Sequence, residues 1–217
     1  MPHYRRPVPS PAAALTLTDW RRQVAALYAA VRAETDPAAG HRVWSAGRSE
    51  LFRHHPDSPL PAGDPLRDTG IPVRPYDPAW RFEVEPVAVP SGGPDDRRDV
   101  DLGGDTGDGT LAMHRIATVE LPDPVGGSLD VWWLHQYGGG IFLPVRDATA
   151  GTSTYGGGRY LLDTAKGADL GSSDGRLVLD LNFLYHPSCR YDPAWTCPLA
   201  PAGNRLAVAI DAGERLS

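Results

Sequence analysis

The segments Leu111–Leu121 (LAMHRIATVEL) and Leu129–Tyr137 (LDVWWLHQY) decide the fold. Both are rich in β-branched, aromatic and other apolar residues, which is typical of β-strands. Between them, Pro124-Val-Gly-Gly127 offers a turn and leaves no room for a helix. Two strands joined by so short a connection pair in antiparallel fashion, so this region predicts a β-hairpin.

Further strand signals lie on both sides of this hairpin. The 24 Gly and 22 Pro exceed average usage and favour short strands with many turns. Consecutive strands with tight turns form antiparallel meanders. We therefore predict a mainly β, α+β fold, a single antiparallel β-barrel-like meander with two N-terminal helices. Its other predicted strands are Arg81–Val89, Ile141–Asp147, Arg159–Asp163, Arg176–Tyr185 and Leu206–Asp211.

Two helices are expected before the first strand. Apolar residues recur at helical spacing from Trp20 to Val31, which predicts a helix over about 18–35, and a second is predicted over about 41–54. The Pro-rich residues 1–15 are expected to form a disordered arm. Residues 16–217 then form one β-rich domain.

Composition limits the possible partners and the compartment. The net charge is −6 and there is no basic stripe, so nucleic acid is not expected to bind. No apolar run approaches the ~18 residues that a membrane helix needs. Two cysteines do not form a secreted disulfide framework, so we expect a cytoplasmic protein. Lys166 is the only lysine, which reflects either a compositional bias or a site that needs a compact ammonium.

The predicted strand Arg176–Tyr185 combines an apolar and a polar face. Alternation places Leu177, Leu179, Leu181, Phe183 and Tyr185 on one side. The other side carries Val178, Leu184 and three polar side chains, Asp180, Asn182 and His186, with ~6–7 Å for each step of two residues along the strand. These three side chains are expected to converge on a small ligand in a polar cavity. The alternative is an ordinary solvated strand face.

Residue chemistry assigns roles to the candidates around this strand. Side chains able to move protons are the catalytic candidates, namely Asp180, His186, Tyr155 and His135. Side chains able to bind an anion, a polar group or an apolar surface are the substrate-binding candidates, namely Arg146, Asp147, Arg159, Asn182, Lys166, Trp133 and Tyr185.

A pentapeptide occurs twice, as Tyr76-Asp-Pro-Ala-Trp80 and Tyr191-Asp-Pro-Ala-Trp195. Five residues do not establish a duplicated fold. Asp can accept a hydrogen bond from a backbone N–H two residues on, and Pro fixes φ, so each copy predicts an Asx-type turn.

The chain also carries motifs at 142–160 (FLPVRDATAGTSTYGGGRY), 179–191 (LDLNFLYHPSCRY), 197–204 (CPLAPAGN), 41–52 (HRVWSAGRSELF) and 55–60 (HPDSPL). These resemble the bacterial and archaeal family named domain of unknown function 1684, over nearly the whole chain. The resemblance implies no assigned activity. Members usually read Tyr-Asn-Pro where this chain has His186, a side chain that exchanges protons near neutral pH. His186 therefore indicates a specialised chemistry.

These observations favour an enzyme that converts a small molecule by redox-neutral acid–base chemistry, such as cyclisation, isomerisation, dehydration or hydrolysis, without a cofactor. A non-catalytic ligand-binding or structural module is the alternative. A flavin-binding split barrel is another, its phosphate held by Arg146, Thr149, Thr152, Ser153 and Arg159.

Two further mechanisms involve cysteine. Zinc at His186, Cys189 and Cys197 is disfavoured, because Asn, the usual residue of the resembled family at position 186, is a poor zinc ligand. Cys189 as a nucleophile beside His186 lacks an orienting third group.

Overall fold

Two helices precede the sheets in the computed structural model, which describes residues 10–90, 93, 96–101, 110–135 and 137–217. Helix α1 spans Pro11–Ala33 and helix α2 spans Pro37–His54. Each begins with a capping side chain followed by proline, Ser10 for α1 and Asp36 for α2. Proline suits the first helical turn, where its missing N–H has no partner to lose. Helix α1 therefore starts earlier than predicted, and residues 11–15 of the expected disordered arm are helical. The rest of that arm, residues 1–9, lies outside the described residues.

The remaining elements confirm the predicted fold class. All strand pairs are antiparallel. Two sheets form, one in the order β1-β9-β8 and one in the order β2-β4-β5-β6-β7, with β3 also on β4. Among the described residues this second sheet stays open, so the β-barrel-like closure is not observed. The elements are α3 (Leu66–Thr69), β1 (Arg81–Val84), β2 (Val87–Ala88), β3 (Arg97–Asp101), β4 (Thr110–Glu120), β5 (Ser128–His135), β6 (Ile141–Val145), β7 (Arg159–Asp163), β8 (Ser172–Ser173) and β9 (Arg176–Asp180).

The predicted hairpin is the pair β4–β5. Its register shifts between Arg115 and Ala117, as at a β-bulge, which bends and twists a strand pair. Strand β5 consequently packs on both faces. Leu129 and Val131 join the main core, whereas Trp132 joins a second apolar cluster with residues such as Met113 and Phe142. A strand packed on both faces accounts for the dense aromatic run in this segment.

The predicted strand Arg176–Tyr185 is wrong beyond Asp180. Strand β9 ends there, and Leu181–Phe183 form a 3₁₀ turn. The Asp180 carboxylate accepts the backbone N–H of Asn182 at 3.1 Å, a local hydrogen bond that competes with the strand ladder. The alternation of faces therefore stops at Asp180, and Leu184, expected on the polar face, is fully buried.

The predicted strand Leu206–Asp211 is also wrong, although Leu206 and Ile210 are buried and Val208 half-buried, as alternation requires. This segment runs beside the loop after β6, where Leu206 N donates to Arg146 O at 2.9 Å and Ala148 N donates to Val208 O at 3.0 Å. Farther on, Glu214 N donates to Leu184 O at 2.8 Å. The C-terminal segment thus runs through the interior and does not join a sheet.

Both copies of the repeated pentapeptide form the predicted Asx-type turn. Asp77 Oδ1 accepts Ala79 N at 2.9 Å, and Asp192 Oδ1 accepts Ala194 N at 2.9 Å. In each copy the Trp backbone N–H also donates to the Asp carbonyl at 3.1 Å. The repeat is a recurring local structure.

In the part of the chain that the structure describes, none of the helices has the length and apolar character needed to cross a membrane.

Candidate functional site

The structure does not bring the predicted site residues together into one site. Asp180 and Asn182 belong to one buried group beside the first Asx turn. His186, Tyr155, Arg159, Asp147 and Tyr185 surround the C-terminal segment. His135, Trp133 and Lys166 are exposed. The expectation that Asp180, Asn182 and His186 converge on a single ligand is therefore wrong, because β9 ends before it can align them.

The group around Asn182 ties two segments together. The side-chain amide of Asn182 accepts from Asp77 N at 3.0 Å and donates to Asp77 O at 2.8 Å. Its Nδ2 also donates to Asp180 Oδ1 at 2.8 Å. The other carboxylate oxygen of Asp180 lies 3.4 Å from the Tyr76 hydroxyl and 3.9 Å from Arg81 Nε. Burial raises the pKa of Asp180 to about 6, although these hydrogen bonds and Arg81 favour the anion.

A second polar group centres on the guanidinium of Arg159, which is 1% exposed. It forms an ion pair with Asp147 at 2.8 Å. It also donates to three alternate carbonyls of the C-terminal segment, those of Ile210 (3.2 Å), Ala212 and Glu214 (3.0 Å). Arg159 thus takes the place of a neighbouring strand, which explains why the segment carries no ladder. Burial opposes ionisation of Asp147, but Arg159 and the hydrogen bonds from Thr149 together outweigh it and lower the carboxylate pKa.

His186 belongs to a third polar group, which is centred on the side-chain carboxylate of Glu214, near the C-terminus. Glu214 Oε2 accepts the backbone N–H of His186 at 2.6 Å and lies 3.6 Å from its Nδ1. The other ring nitrogen, Nε2, accepts the backbone N–H of Tyr155 at 3.2 Å. Burial lowers the pKa of His186 to about 4, partly offset by Glu214. His186 is therefore a neutral, fully engaged side chain that positions the backbone of Tyr155.

Sequence reasoning missed the partners of this group. Arg48 of α2 forms a short ion pair with the fully buried Glu214, and it stacks 4.7 Å from the Tyr185 ring centroid. The Tyr191 hydroxyl donates to Glu214 Oε2 at 3.1 Å. Arg48 lies within the motif 41–52, and this motif could have marked Arg48 as a candidate. Glu214 lies 166 positions from Arg48, and nothing local marks it.

The accessible chemistry nearest to His186 is the thiol cluster, which we define as Tyr155, Cys189 and Cys197. All three side chains are half-buried, and both cysteines are free thiols. Cys189 Sγ lies 3.9 Å from the Tyr155 hydroxyl. Its interaction with Cys197 lowers the pKa of Cys197 to about 6, against the effect of burial, and raises the pKa of Cys189. Two adjacent thiols sharing one negative charge titrate as a pair.

Positive charges flank the thiol cluster. Lys166 helps to lower the pKa of Cys197, whereas burial and the nearby Cys189 raise the pKa of Tyr155 and Arg190 partly opposes that rise. The Lys166 side chain is 61% exposed and pairs with Asp163 at 3.0 Å, so of the two interpretations of this lone lysine, the site that needs a buried ammonium is not observed. Arg146 lies apart, donating to Gly156 O at 3.0 Å.

The remaining predicted residues face outward. His135 is exposed and lies 5.2 Å, between ring centroids, from His114. Trp133 is 39% exposed. Two surface pockets lie elsewhere, one between α1 and α2 and the other beside Val125–Ser128. None of the predicted site residues lines either of them.

Two observations bear on whether the protein binds a metal ion or a flavin. Among the described residues, no group of three or more His, Cys, Asp or Glu side chains is arranged to hold a metal ion. Of the residues expected to bind a flavin phosphate, Arg159 and Thr149 are both engaged by Asp147. Flavin binding therefore stays an untested prediction that these contacts do not favour.

The comparisons with known proteins agree with the resemblance noted in the sequence. The model of a family described as protein of unknown function (DUF1684) matches residues 68–215. No curated protein matches. A similar solved structure is the solution NMR structure of an uncharacterized protein of Haloarcula marismortui, with 29% identity and a TM-score of 0.54. The match covers 81% of this chain and 91% of that one.

Proposed function

The chain belongs to the DUF1684 family of proteins of unknown function, and from that premise we propose that it is an enzyme that transfers a proton on a small carboxylate at the thiol cluster. The reaction is redox-neutral and uses no cofactor. One observation carries the proposal: the half-buried Cys189 thiol lies 3.9 Å from the half-buried Tyr155 hydroxyl, and the interaction with Cys189 lowers the pKa of the half-buried Cys197 to about 6. Groups whose environments push their pKa values apart can divide the roles of base and acid.

The roles follow from these protonation states. The Cys197 thiolate accepts a proton from a C–H bond beside the substrate carboxylate. A proton returns from the Cys189 thiol or the Tyr155 hydroxyl, and transfer of the proton on Cys197 to that group restores the starting state, so charge and atoms balance over the cycle. A catalytic base works best when its pKa lies near the working pH, and the pKa of Cys197 at about 6 suits this role.

The substrate class follows from the flanking charges. Arg190 interacts electrostatically with Tyr155, and Lys166 with Cys197. Among the described residues Arg190 has no carboxylate partner, so it is available to an anion. A cation also stabilises the negative charge that develops when a proton leaves carbon. Small carboxylates with an acidic C–H bond are the class that meets both conditions.

Buried groups support the cluster from behind. His186 fixes the backbone of Tyr155 through its Nε2, and Glu214 fixes His186. When packed neighbours already hold the side chains of a site in position, less free energy is spent on ordering those side chains during the reaction. His186 and Glu214 are thus positioning residues, whereas the original prediction made His186 catalytic.

The test uses solvent deuterium. Reduced protein is incubated in D₂O with a panel of 2-hydroxy and 2-amino carboxylates, and loss of the C–H signal beside the carboxylate is followed by proton NMR. We expect exchange on at least one member, reduced on the order of 100-fold or more in Cys197→Ser. Glu83→Ala, at an exposed ion pair on β1, is the matched control and should exchange like wild type. Exchange that is equal in wild type and Cys197→Ser would refute the proposal. Saturable binding without exchange would instead support a non-catalytic ligand-binding module.

A further inference from the structure

The β4–β5 hairpin carries two neighbouring histidines on one face. His114 pairs with Trp133 in the ladder, and His135 pairs with Ala112. Directly paired residues share a face of the sheet, and so do residues two apart along one strand. His114 and His135 therefore stand on the same side, at diagonal positions. Their ring centroids are 5.2 Å apart and their ring planes are tilted by 36°. The register of the hairpin thus holds two imidazoles side by side.

Both imidazoles are accessible and unpartnered. His114 is half-buried and His135 is exposed. No described residue gives either ring a hydrogen bond or an ion pair. By contrast, the ring of His54 lies 3.4 Å from the Glu50 carboxylate, and His186 has a polar group near each ring nitrogen. An imidazole nitrogen that no protein group uses is free to bind a metal ion.

We infer that His114 and His135 together bind one divalent transition-metal ion of the kind that prefers nitrogen ligands, such as Zn²⁺. A zinc–nitrogen bond is about 2.0–2.1 Å long, so the centre of a bound imidazole lies about 3 Å from the ion. Two such rings at the tetrahedral angle have centres about 5 Å apart. The separation of 5.2 Å between the two rings matches that geometry. Two protein ligands leave the other positions of the ion to water.

Two opposite charges lie beside this pair on the same face. Strand β3 places Arg97 opposite His114 and Asp99 opposite Ala112. Arg97 Nε lies 3.0 Å from Asp99 Oδ1. The carboxylate balances the guanidinium, so a cation at the histidines meets little repulsion from Arg97. The histidine pair shares no residue with the thiol cluster, and the inference is therefore independent of the proposed proton transfer.

The test follows each imidazole separately. Reduced full-length protein, labelled with ¹⁵N and free of any affinity tag, is titrated with zinc chloride, and the ring nitrogens are observed by two-dimensional NMR. We expect one nitrogen of His114 and one of His135 to shift along a common curve that saturates with one ion for the pair. Because every ring is observed by itself, zinc binding at the cysteines does not obscure the result. Shifts confined to one of the two rings, or an affinity no higher than at His54, would overturn the inference.

Single variants test whether the two rings act together. His114→Gln should weaken zinc binding at His135 by at least about 10-fold, because the second ligand of a preorganised pair acts at a high effective concentration. His135→Gln should have the same effect at His114. His54→Gln, on α2, is the matched control and should leave the titration of both rings unchanged. Circular dichroism verifies that each variant is folded. If zinc binds His135 equally well with and without His114, the two are separate surface histidines and no joint site exists.

Discussion

Glu214 Oε2 lies 3.6 Å from His186 Nδ1 and accepts the His186 backbone N–H at 2.6 Å. The same carboxylate pairs with Arg48 of helix α2. One side chain near the C-terminus thus connects the N-terminal helices with the loop after β9. Because Glu214 has no exposed surface, its charge depends entirely on these partners.

Replacing Glu214 with alanine should therefore be strongly destabilising. The change leaves Arg48, with a side chain 13% exposed, without its counter-ion, and it removes the acceptor of His186 N and Tyr191 OH. Breaking a buried pair on one side costs about 3–5 kcal/mol of unfolding free energy. Urea denaturation measures it. The control Glu83→Ala removes an exposed pair and should cost less than about 1 kcal/mol. Similar losses in both variants would show that Glu214 does not organise the interior.

His186→Asn should make the protein more resistant to acid. The folded pKa of His186 is lowered to about 4, so its stabilising contribution is complete above the unfolded value of 6.5 and is lost as pH falls from 6.5 through 4. Asparagine does not titrate. The unfolding free energy of wild type relative to the variant should thus fall by on the order of 3 kcal/mol between pH 7 and 4. Chemical denaturation across this range measures the difference, and a pH-independent difference would contradict a buried neutral imidazole.

The sequence predicted what local chemistry determines. The β4–β5 hairpin, strand β7 and both Asx turns were recognisable because their signals lie within a few residues of one another. The carbonyls that Arg159 binds lie 51–55 positions away, and Arg48 and Glu214 are 166 apart. An alternating pattern at 206–211 correctly indicated burial, but it could not reveal that a guanidinium replaces the neighbouring strand. The prediction that the polar face of β9 continues past Asp180 was wrong for a local reason, since Asp180 caps the turn that ends the strand.

Asp180→Asn should show the opposite pH dependence to His186→Asn. Burial raises the folded pKa of Asp180 to about 6 from 3.8, so its stabilising contribution is complete below 3.8 and is lost as pH rises through 6. The neutral amide keeps an oxygen that can accept from Asn182. The variant should therefore gain stability relative to wild type, on the order of 3 kcal/mol, between pH 4 and 7. The same denaturation series measures both variants, and slopes of equal sign would contradict the two assignments.

Arg159→Lys tests whether the shape of the guanidinium, rather than its charge, holds the C-terminal segment. Lysine keeps the positive charge beside Asp147 but cannot present a planar fork to three alternate carbonyls. The carbonyls of Ile210, Ala212 and Glu214 would lose donors in the buried interior, which costs about 1–3 kcal/mol for each group left unsatisfied. We expect a loss of at least about 2 kcal/mol by urea denaturation, with faster amide hydrogen exchange at 210–214 than at β7. Arg22→Lys, at an exposed ion pair on α1, is the matched control and should change stability by less than about 0.5 kcal/mol. If Arg159→Lys is equally neutral, the charge alone suffices, and the C-terminal segment is held by its apolar side chains.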